Sequence, residues 1–257
     1  MRIACGVALL AGTFWLSYLL ADMGFVGLYN APALVLIGLA PLAISVIAYE
    51  LDELRHYASV AKRALGFREG PARSRLISGL IALGKARRSG KLAHSVEILE
   101  STDEPLVELS GLVLVKQYEP DAIREVFGAR LHSLISKVKR AEDFFSGLAR
   151  LAPSFGLIGT IIGFIDLLEH LSDPDSLGPG MAMALSATLY GIAVSYCVFH
   201  PIAKSVGTYG RKLTEHGRLA QHAVQLLHEG KGATDLRMLF DEPTAVGAVA
   251  PQTQEAT

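Results

Sequence analysis

Residues 151–171 read LAPSFGLIGTIIGFIDLLEHL, and residues 181–203 read MAMALSATLYGIAVSYCVFHPIA. As an α-helix rising about 1.5 Å per residue, each of these mostly apolar runs is long enough to cross the roughly 30 Å hydrocarbon core of a bilayer. Asp166 interrupts the first run. The link between the runs, residues 172–176, is short and polar (SDPDS). The two runs therefore predict a transmembrane hairpin.

Two further apolar runs lie near the N-terminus. Residues 3–21 and residues 31–49 contain no formally charged side chain, and a short link separates them. They predict a second hairpin, which gives four transmembrane helices in all. A secretory signal peptide is the alternative interpretation of the first run, because Arg2 provides a positively charged start. The length of the run and the lack of a small-residue cleavage site before Asp22 favour a membrane span.

The overall composition also indicates a membrane protein. The chain is 51% hydrophobic and 19% charged, and its mean hydropathy is +0.36. Because the apolar side chains are concentrated in four runs, an ordinary soluble enzyme is excluded. The net charge of -1 provides no overall field that would attract nucleic acid. Cys5 and Cys197 both lie in apolar runs, which argues against a disulfide framework or a cysteine metal site.

The distribution of basic residues predicts the orientation of the four spans. Residues 51–150 contain 17 Lys and Arg and residues 201–257 contain 6, whereas the two hairpin links contain none. Cytoplasmic flanks of membrane spans carry the excess of basic residues. Both termini and the long middle segment are therefore predicted to be cytoplasmic, and both links to lie outside.

The segments outside the spans are predicted to be mostly helical. From Pro120 onward, apolar side chains recur at helical spacing into the third span, which predicts one long helix that enters the membrane. Proline suits the first turn of such a helix because its φ is fixed. The fourth span is predicted to continue as a cytoplasmic helix through residues 204–241. Residues 242–257 are rich in Ala, Gly, Pro, Thr and Gln and are predicted to be disordered.

The predicted fold class is an all-α membrane protein with two transmembrane hairpins, whose third and fourth helices extend into a helical cytoplasmic domain. The predicted segments are the first hairpin (1–50), the cytoplasmic helical domain (51–150), the second hairpin (151–203), the helical extension (204–241) and the tail (242–257).

No motif for catalysis appears in the sequence. A glycine-rich phosphate loop, a nucleophile elbow and a metal-spaced cluster of His and Cys are all absent, and the eight histidines are scattered. The sequence therefore predicts a protein without an enzyme active site, a metal site or a bound cofactor.

Small residues recur at three- or four-residue spacing along the third and fourth spans. They are Gly156, Gly159 and Gly163 in the third span and Ala184, Thr188 and Gly191 in the fourth. Such faces let two backbones approach closely, so helix packing is one interpretation. Thr160 and Thr188 add hydroxyl groups at membrane depth, where a hydroxyl bonds to its own helix or coordinates a polar species. Both interpretations stay open at this point.

The strings APSFGLIGT (152–160), GPGMAMAL (178–185) and TLYG (188–191), followed by Pro201, resemble the MotA/PomA family of bacterial flagellar stator subunits. The resemblance is densest over residues 151–203 and weaker on both flanks. It implies a multi-pass protein of the bacterial inner membrane. It also implies a pentameric ring of this chain around a dimer of a MotB/PomB-type partner, whose single span carries an intramembrane aspartate. H⁺ or Na⁺ would be the translocated ion.

The resemblance further implies which residues act. It places Thr160 along the ion route, at the interface with the partner, and Thr188 nearby. It also implies that Pro153 and Pro201 couple ion passage to rotation of the ring. Two interpretations stay open for Asp166: a hydrated carboxylate at the outer mouth of the third span, or an ion relay.

The segment ARRSGKLA (86–93) resembles the cytoplasmic torque segment of the same family. The resemblance implies that Arg87 and Arg88 face a charged helix of the rotor protein FliG. The glutamate that follows in the family falls on Ser95 in this chain, which weakens the acidic half of that contact. Without the resemblance, this segment is a basic turn of the kind that binds anionic lipid headgroups.

These features together predict a flagellar motor stator subunit that converts ion flow into rotation. An ExbB/TolQ-type energiser of outer-membrane processes is the main alternative, and it typically has one span before its cytoplasmic segment. A ring scaffold that conducts no ions is a third possibility. Two predicted hairpins favour the stator subunit over the energiser.

Overall fold

The computed structural model describes residues 12–13, 30–89, 104–116, 119–172, 174–231, 236 and 240, and all regular structure in this part of the chain is helical. A π-helical segment, Ser195–Phe199, joins the last two helices. In chain order the helices are α1 (Ala31–Ala48), α2 (Leu51–Gly66), α3 (Glu69–Arg88), α4 (Pro105–Val115), α5 (Pro120–Glu169), α6 (Pro174–Val194) and α7 (His200–His228). Most of the first predicted span and the whole predicted tail lie outside the described residues.

Three stretches of helix among the described residues are long and apolar enough to cross a bilayer. They are Ala31–Ala48, Pro120–Glu169 and Gly180–His228. They correspond to the predicted second, third and fourth spans in that order, although the first two end at Ala48 and Glu169, just short of the predicted limits. The first predicted span, residues 3–21, stays a prediction.

Helix α1 begins at a well-formed N-terminal cap. The Oδ1 atom of Asn30 accepts a hydrogen bond from the backbone N–H of Ala33 at 3.2 Å, and proline occupies the first turn. The helix ends where Tyr49 adopts an extended conformation. Along its length α1 packs against α6, with Ala33, Ile37 and Ala187 forming a buried core between them.

Helix α5 confirms the prediction of one long helix, because it begins at Pro120 and continues for 50 residues to Glu169. The fourth span also continues past the membrane segment, as α7 to His228. The link between the third and fourth spans is shorter than predicted. Helix α6 already begins at Pro174, since proline fits the first helical turn as readily as it fits a loop.

The chain divides into two compact units, and the first comprises residues 1–67 and 136–211. Aromatic rings connect α2 to α5 in this unit. The ring centroids of Tyr57 and Phe144 lie 5.1 Å apart, and Tyr49 meets Phe144 edge-on at 5.3 Å. An edge-to-face contact such as that of Tyr49 and Phe144 stabilises packing beyond the area that it buries.

The second unit comprises residues 68–135 and 212–257. Helix α3 forms part of its core, since Leu76, Leu80 and Leu83 are fully buried. Helices α3 and α4 approach closely because α3 carries a glycine at the contact. A Cβ atom at Gly79 would lie 2.7 Å from Cγ1 of Val107.

We expect Leu76→Ala to lower the free energy of unfolding by about 2–5 kcal/mol, because it removes a fully buried side chain and leaves a cavity. Leu112→Ala is the matched control, since Leu112 belongs to the same unit but is 40% exposed. Denaturant titration of the full chain in detergent micelles, followed by circular dichroism, compares the two. Equal losses in both variants would contradict the assignment of Leu76 to the core.

Candidate functional site

The contact between α5 and α6 is the centre of the candidate site, and it is built on glycine. A Cβ atom at Gly163 would lie 2.7 Å from the backbone nitrogen of Ala184, and one at Gly191 would lie 2.8 Å from the carbonyl oxygen of Ala152. Both distances are too short for a real side chain. The two backbones therefore touch directly, which favours the packing interpretation of the small-residue faces.

The same contact brings Thr160 and Thr188 together. Their hydroxyl oxygens are hydrogen-bonded to each other. The Oγ1 atom of Thr160 lies 3.0 Å from the carbonyl oxygen of Gly156 in its own helix and 3.0 Å from that of Ala184 in α6. Thr188 Oγ1 lies 3.4 Å from the same Ala184 oxygen. We call these two hydroxyls and two carbonyls the threonine pair.

The threonine pair has more hydrogen-bond acceptors than donors. Two hydroxyl groups supply two hydrogens, whereas four oxygen atoms compete for them. Each hydroxyl can rotate to donate to a different neighbour, and unused lone pairs remain available. Both threonines are only partly buried within this chain. The arrangement can therefore offer neutral oxygen ligands to a cation, or accept a hydrogen bond from a protonated group.

The two predicted coupling prolines lie inside continuous helices. Pro153 is in the interior of α5, and Pro201 is the second residue of α7, directly after the π-helical segment. Proline has no N–H to donate, and its ring crowds the carbonyl four residues earlier. In the π-helical segment the N–H of His200 instead reaches back five residues to the carbonyl of Ser195. This wider turn accommodates the break at Pro201.

Arg87 and Arg88, the predicted rotor contacts, differ in their surroundings. The Nη2 atom of Arg87 donates to the carbonyl oxygen of His228 at 3.3 Å, at the C-terminal end of α7. Its Nη1 atom is buried and has no hydrogen-bond partner among the described residues. Arg88 is exposed. The guanidinium of Arg87 therefore stabilises a helix end, where the backbone dipole favours a cation, and Arg88 is the one that faces outward. Ser95 lies outside the described residues.

Asp166, in the last turns of α5, has half of its side chain exposed within this chain. His170 lies one turn further along, and its Nδ1 atom is 3.6 Å from Asp166 Oδ1. The same nitrogen lies 2.9 Å from the Asp166 carbonyl oxygen. The exposed carboxylate favours the interpretation of Asp166 as a hydrated group.

Comparison with known proteins assigns these features to a family. The model of the MotA/TolQ/ExbB proton channel family matches residues 98–217. Motility protein A of Aquifex aeolicus is 32% identical over 180 residues, which cover 69% of this chain and 70% of that relative. This chain belongs to the MotA/TolQ/ExbB proton channel family. It is accordingly a multi-pass membrane protein, and it is not an enzyme.

Two further comparisons concern length and fold. Uncharacterized protein YtxD of Bacillus subtilis is 31% identical over 158 residues, which cover 61% of this chain. The match spans only 57% of the length of that relative. A chain of the flagellar MotAB stator complex from Bacillus subtilis matches the structure with a TM-score of 0.75 at 22% identity, over 91% of this chain and 92% of the other. The all-α, MotA-like fold predicted from the sequence is thereby confirmed.

One contact of this MotA-family site was not predicted from the sequence. The backbone N–H of Asn30 donates to the hydroxyl of Tyr190 at 3.2 Å, which joins the start of α1 to α6. The TLYG string at residues 188–191 contains this tyrosine, but no local pattern indicates which backbone group its hydroxyl meets. The bond depends on the pairing of two helices far apart in the sequence.

We expect Gly163→Ala to destabilise the α5–α6 contact by about 1–3 kcal/mol, because the new methyl group would press on the backbone of α6. Gly178→Ala is the matched control in the same pair of helices, since no atom lies within 4 Å of its Cβ position. Thermal unfolding of the purified chain in detergent measures both. An equal unfolding temperature for Gly163→Ala and the control would contradict the close contact between Gly163 and the backbone of α6.

Proposed function

We propose that this chain is a flagellar motor stator subunit that conducts H⁺ or Na⁺ together with a MotB/PomB-type partner and converts the flow into rotation. The observation that carries the proposal is the threonine pair, which places neutral hydroxyl oxygens on a glycine-lined contact of two membrane helices. The names of two matches support it: a motility protein A, and a flagellar MotAB stator complex.

In the proposed assembly, five copies of this chain surround a dimer of the partner, whose single span supplies an aspartate. An ion that crosses the membrane releases about 2.3 kcal/mol per 100 mV of potential. When the ion neutralises that aspartate, the charge facing the ring disappears and the preferred position of ring against dimer changes. Thr160 and Thr188 would pass the ion along this interface, because their oxygens can replace lost water ligands without adding a charge.

The proposed orientation follows the basic residues. Arg55, Lys62 and Arg63 follow α1 closely, and Lys204 follows Pro201. With this positive charge on the cytoplasmic side of a bacterial inner membrane, both termini would also be cytoplasmic. The first span at residues 3–21 completes the first hairpin in this proposal.

Pro153 and Pro201 are proposed as the coupling elements. Pro153 interrupts the backbone hydrogen-bond ladder of α5, which carries Thr160. Pro201 interrupts the ladder of α7, which follows α6 and its Thr188 through the π-helical segment. A helix bends most easily at such a break, because a missing hydrogen bond lowers the resistance to bending. A change at the partner aspartate would then move the segments beyond the two prolines.

Arg88 is proposed as the outward-facing contact with the rotor protein FliG. Its exposure suits a contact that forms and breaks at every step, because an exposed ion pair contributes only about 0–1 kcal/mol. Arg87 is proposed to support the same surface indirectly, by holding the end of α3 against the end of α7.

A second candidate function is an ExbB/TolQ-type energiser, and the description of the matched family includes these proteins. Such a protein has a single span before its cytoplasmic segment. A reporter fused within residues 22–30 separates the two, since an external reporter signal supports two hairpins and a cytoplasmic signal supports the energiser.

We expect Thr160→Val to reduce ion flux through the complex with its partner about tenfold. Valine keeps the shape of threonine but removes the hydroxyl, and a factor of ten corresponds to roughly one hydrogen bond. Flux into proteoliposomes under an imposed membrane potential measures the effect. Thr208→Val is the control, because its exposed hydroxyl bonds within α7 at 2.9 Å. Unchanged flux in Thr160→Val would contradict the proposed route.

We expect Arg88→Glu to reduce swimming speed by up to about fivefold, the factor that corresponds to the loss of one exposed ion pair. Ion flux through the purified complex should stay at the level of the unmodified protein. Lys62→Glu makes the same charge change at another exposed site, on α2, and should leave swimming intact. Equal swimming defects in both variants would indicate a general effect of charge and no specific rotor contact.

A further inference from the structure

The break at Pro153 leaves a backbone carbonyl without its usual partner. In an α-helix the carbonyl oxygen of residue 149 accepts a hydrogen bond from the N–H of residue 153, and proline has no N–H. Ala149 and Ala152 are both buried, so water has little access to this part of α5. A buried carbonyl without a hydrogen bond destabilises a fold, and within a membrane region the cost rises further.

Ser195 supplies the missing donor. Its hydroxyl donates to the carbonyl oxygen of Ala149 at 2.5 Å, and the side chain is only 5% exposed. Five other serines in the described helices bond within their own helix instead, where the hydroxyl donates to a carbonyl four residues earlier. This is seen for Ser45, Ser110, Ser154, Ser186 and Ser205.

The position of Ser195 at the start of the π-helical segment lets its side chain face α5. Ser195 is the first residue of that segment, and its own carbonyl accepts from the N–H of His200 five residues later. A turn with one extra residue changes the direction of the following side chains by about 100° relative to an unbroken α-helix. The wider turn after Ser195 can therefore accommodate the ring and the missing N–H of Pro201, while the side chain of Ser195 still faces α5.

We propose that Ser195 is a positioning residue of the channel, whose hydroxyl supplies the donor that is missing at Pro153 and ties α5 at that break to the π-helical segment that follows α6. This inference rests on the proposed function. Ser195 lies about two turns beyond Thr188, and Ala149 lies about three turns before Thr160. The threonine pair joins α5 to α6, and the Ser195–Ala149 hydrogen bond joins α5 to the first residue after α6. It thus connects the break at Pro153 to the π-helical segment that precedes Pro201.

The space around the bond explains why serine is present. A Cβ atom at Gly191, one turn before Ser195, would lie 2.8 Å from the carbonyl oxygen of Ala152 and 3.0 Å from Cα of Gly156. Backbones in such close contact leave room for a small side chain. Serine is the smallest residue that carries a hydroxyl donor, so it fits the contact and also supplies the hydrogen bond.

The first experiment observes the Ala149 carbonyl directly. Carbonyl-¹³C alanine and ¹⁵N arginine labels in the full chain select the four Ala–Arg pairs of the sequence, of which only Ala149–Arg150 has a proline four residues after its alanine. Ser195→Ala should shift this one carbonyl signal in solid-state NMR. Ser186→Ala is the matched control, because Ser186 is equally buried at 5% and bonds within its own helix. It should leave the Ala149 signal in place.

Pro153→Ala provides a second background for the same measurement. Alanine at this position restores an N–H for the Ala149 carbonyl, so adding Ser195→Ala should then shift the signal much less. An identical Ala149 signal in Ser195→Ala and Ser186→Ala would overturn the proposal. That comparison stands by itself where Pro153→Ala does not fold.

The second experiment measures ion flux in proteoliposomes that contain the full chain and a MotB/PomB-type partner. Ser195→Ala should reduce flux about five- to tenfold at equal assembly, the factor by which one lost hydrogen bond changes a population. Ser186→Ala should conduct normally, and equal flux in the two variants would overturn the positioning role. If the unmodified complex conducts no ions, the proposed function and the positioning role fail together. The carbonyl signal still decides whether the Ser195–Ala149 hydrogen bond exists.

Discussion

Direct contact between the backbones of α5 and α6 is the constraint on which the first unit depends. Lipid chains are as apolar as leucine, so helices in a membrane associate through close packing and polar contacts. Gly163 and Gly191 allow this packing because neither position has room for a side chain. The same closeness brings Thr160 within hydrogen-bond distance of the Ala184 carbonyl. The small residues and the hydroxyls are therefore parts of one arrangement.

The two prolines create the opposite problem, since each removes a backbone hydrogen-bond donor from a helix. The structure accommodates the missing donors in two ways. At Pro153 a hydroxyl from another helix bonds to the free carbonyl, and before Pro201 the helix widens into a π-helical segment. Because Ser195 belongs to that segment, one residue takes part in both arrangements. Helix breaks at membrane depth persist only where such partners exist.

The local patterns predicted much of this fold, whereas the contacts between helices could not be predicted. The periodicity after Pro120 predicts α5 because helical spacing is a property of neighbouring residues. The small-residue faces likewise predict close packing. The pairing of Thr160 with Thr188, the bond from Ser195 and the inward direction of Arg87 depend on helix rotation. One residue of π-helix changes that rotation by about 100°, and no local signal marks its position.

The neutrality of the threonine pair agrees with transport better than with storage. A site that conducts must bind an ion well enough to remove water and weakly enough to release it. A carboxylate among these closely packed backbones would hold a cation strongly and, when empty, would be a costly buried charge. Hydroxyls and carbonyls avoid both difficulties, since they supply oxygen ligands without net charge. In the proposed complex the charge therefore comes from the partner's aspartate, so that its neutralisation changes the force on the ring while the wall contributed by α5 and α6 stays the same.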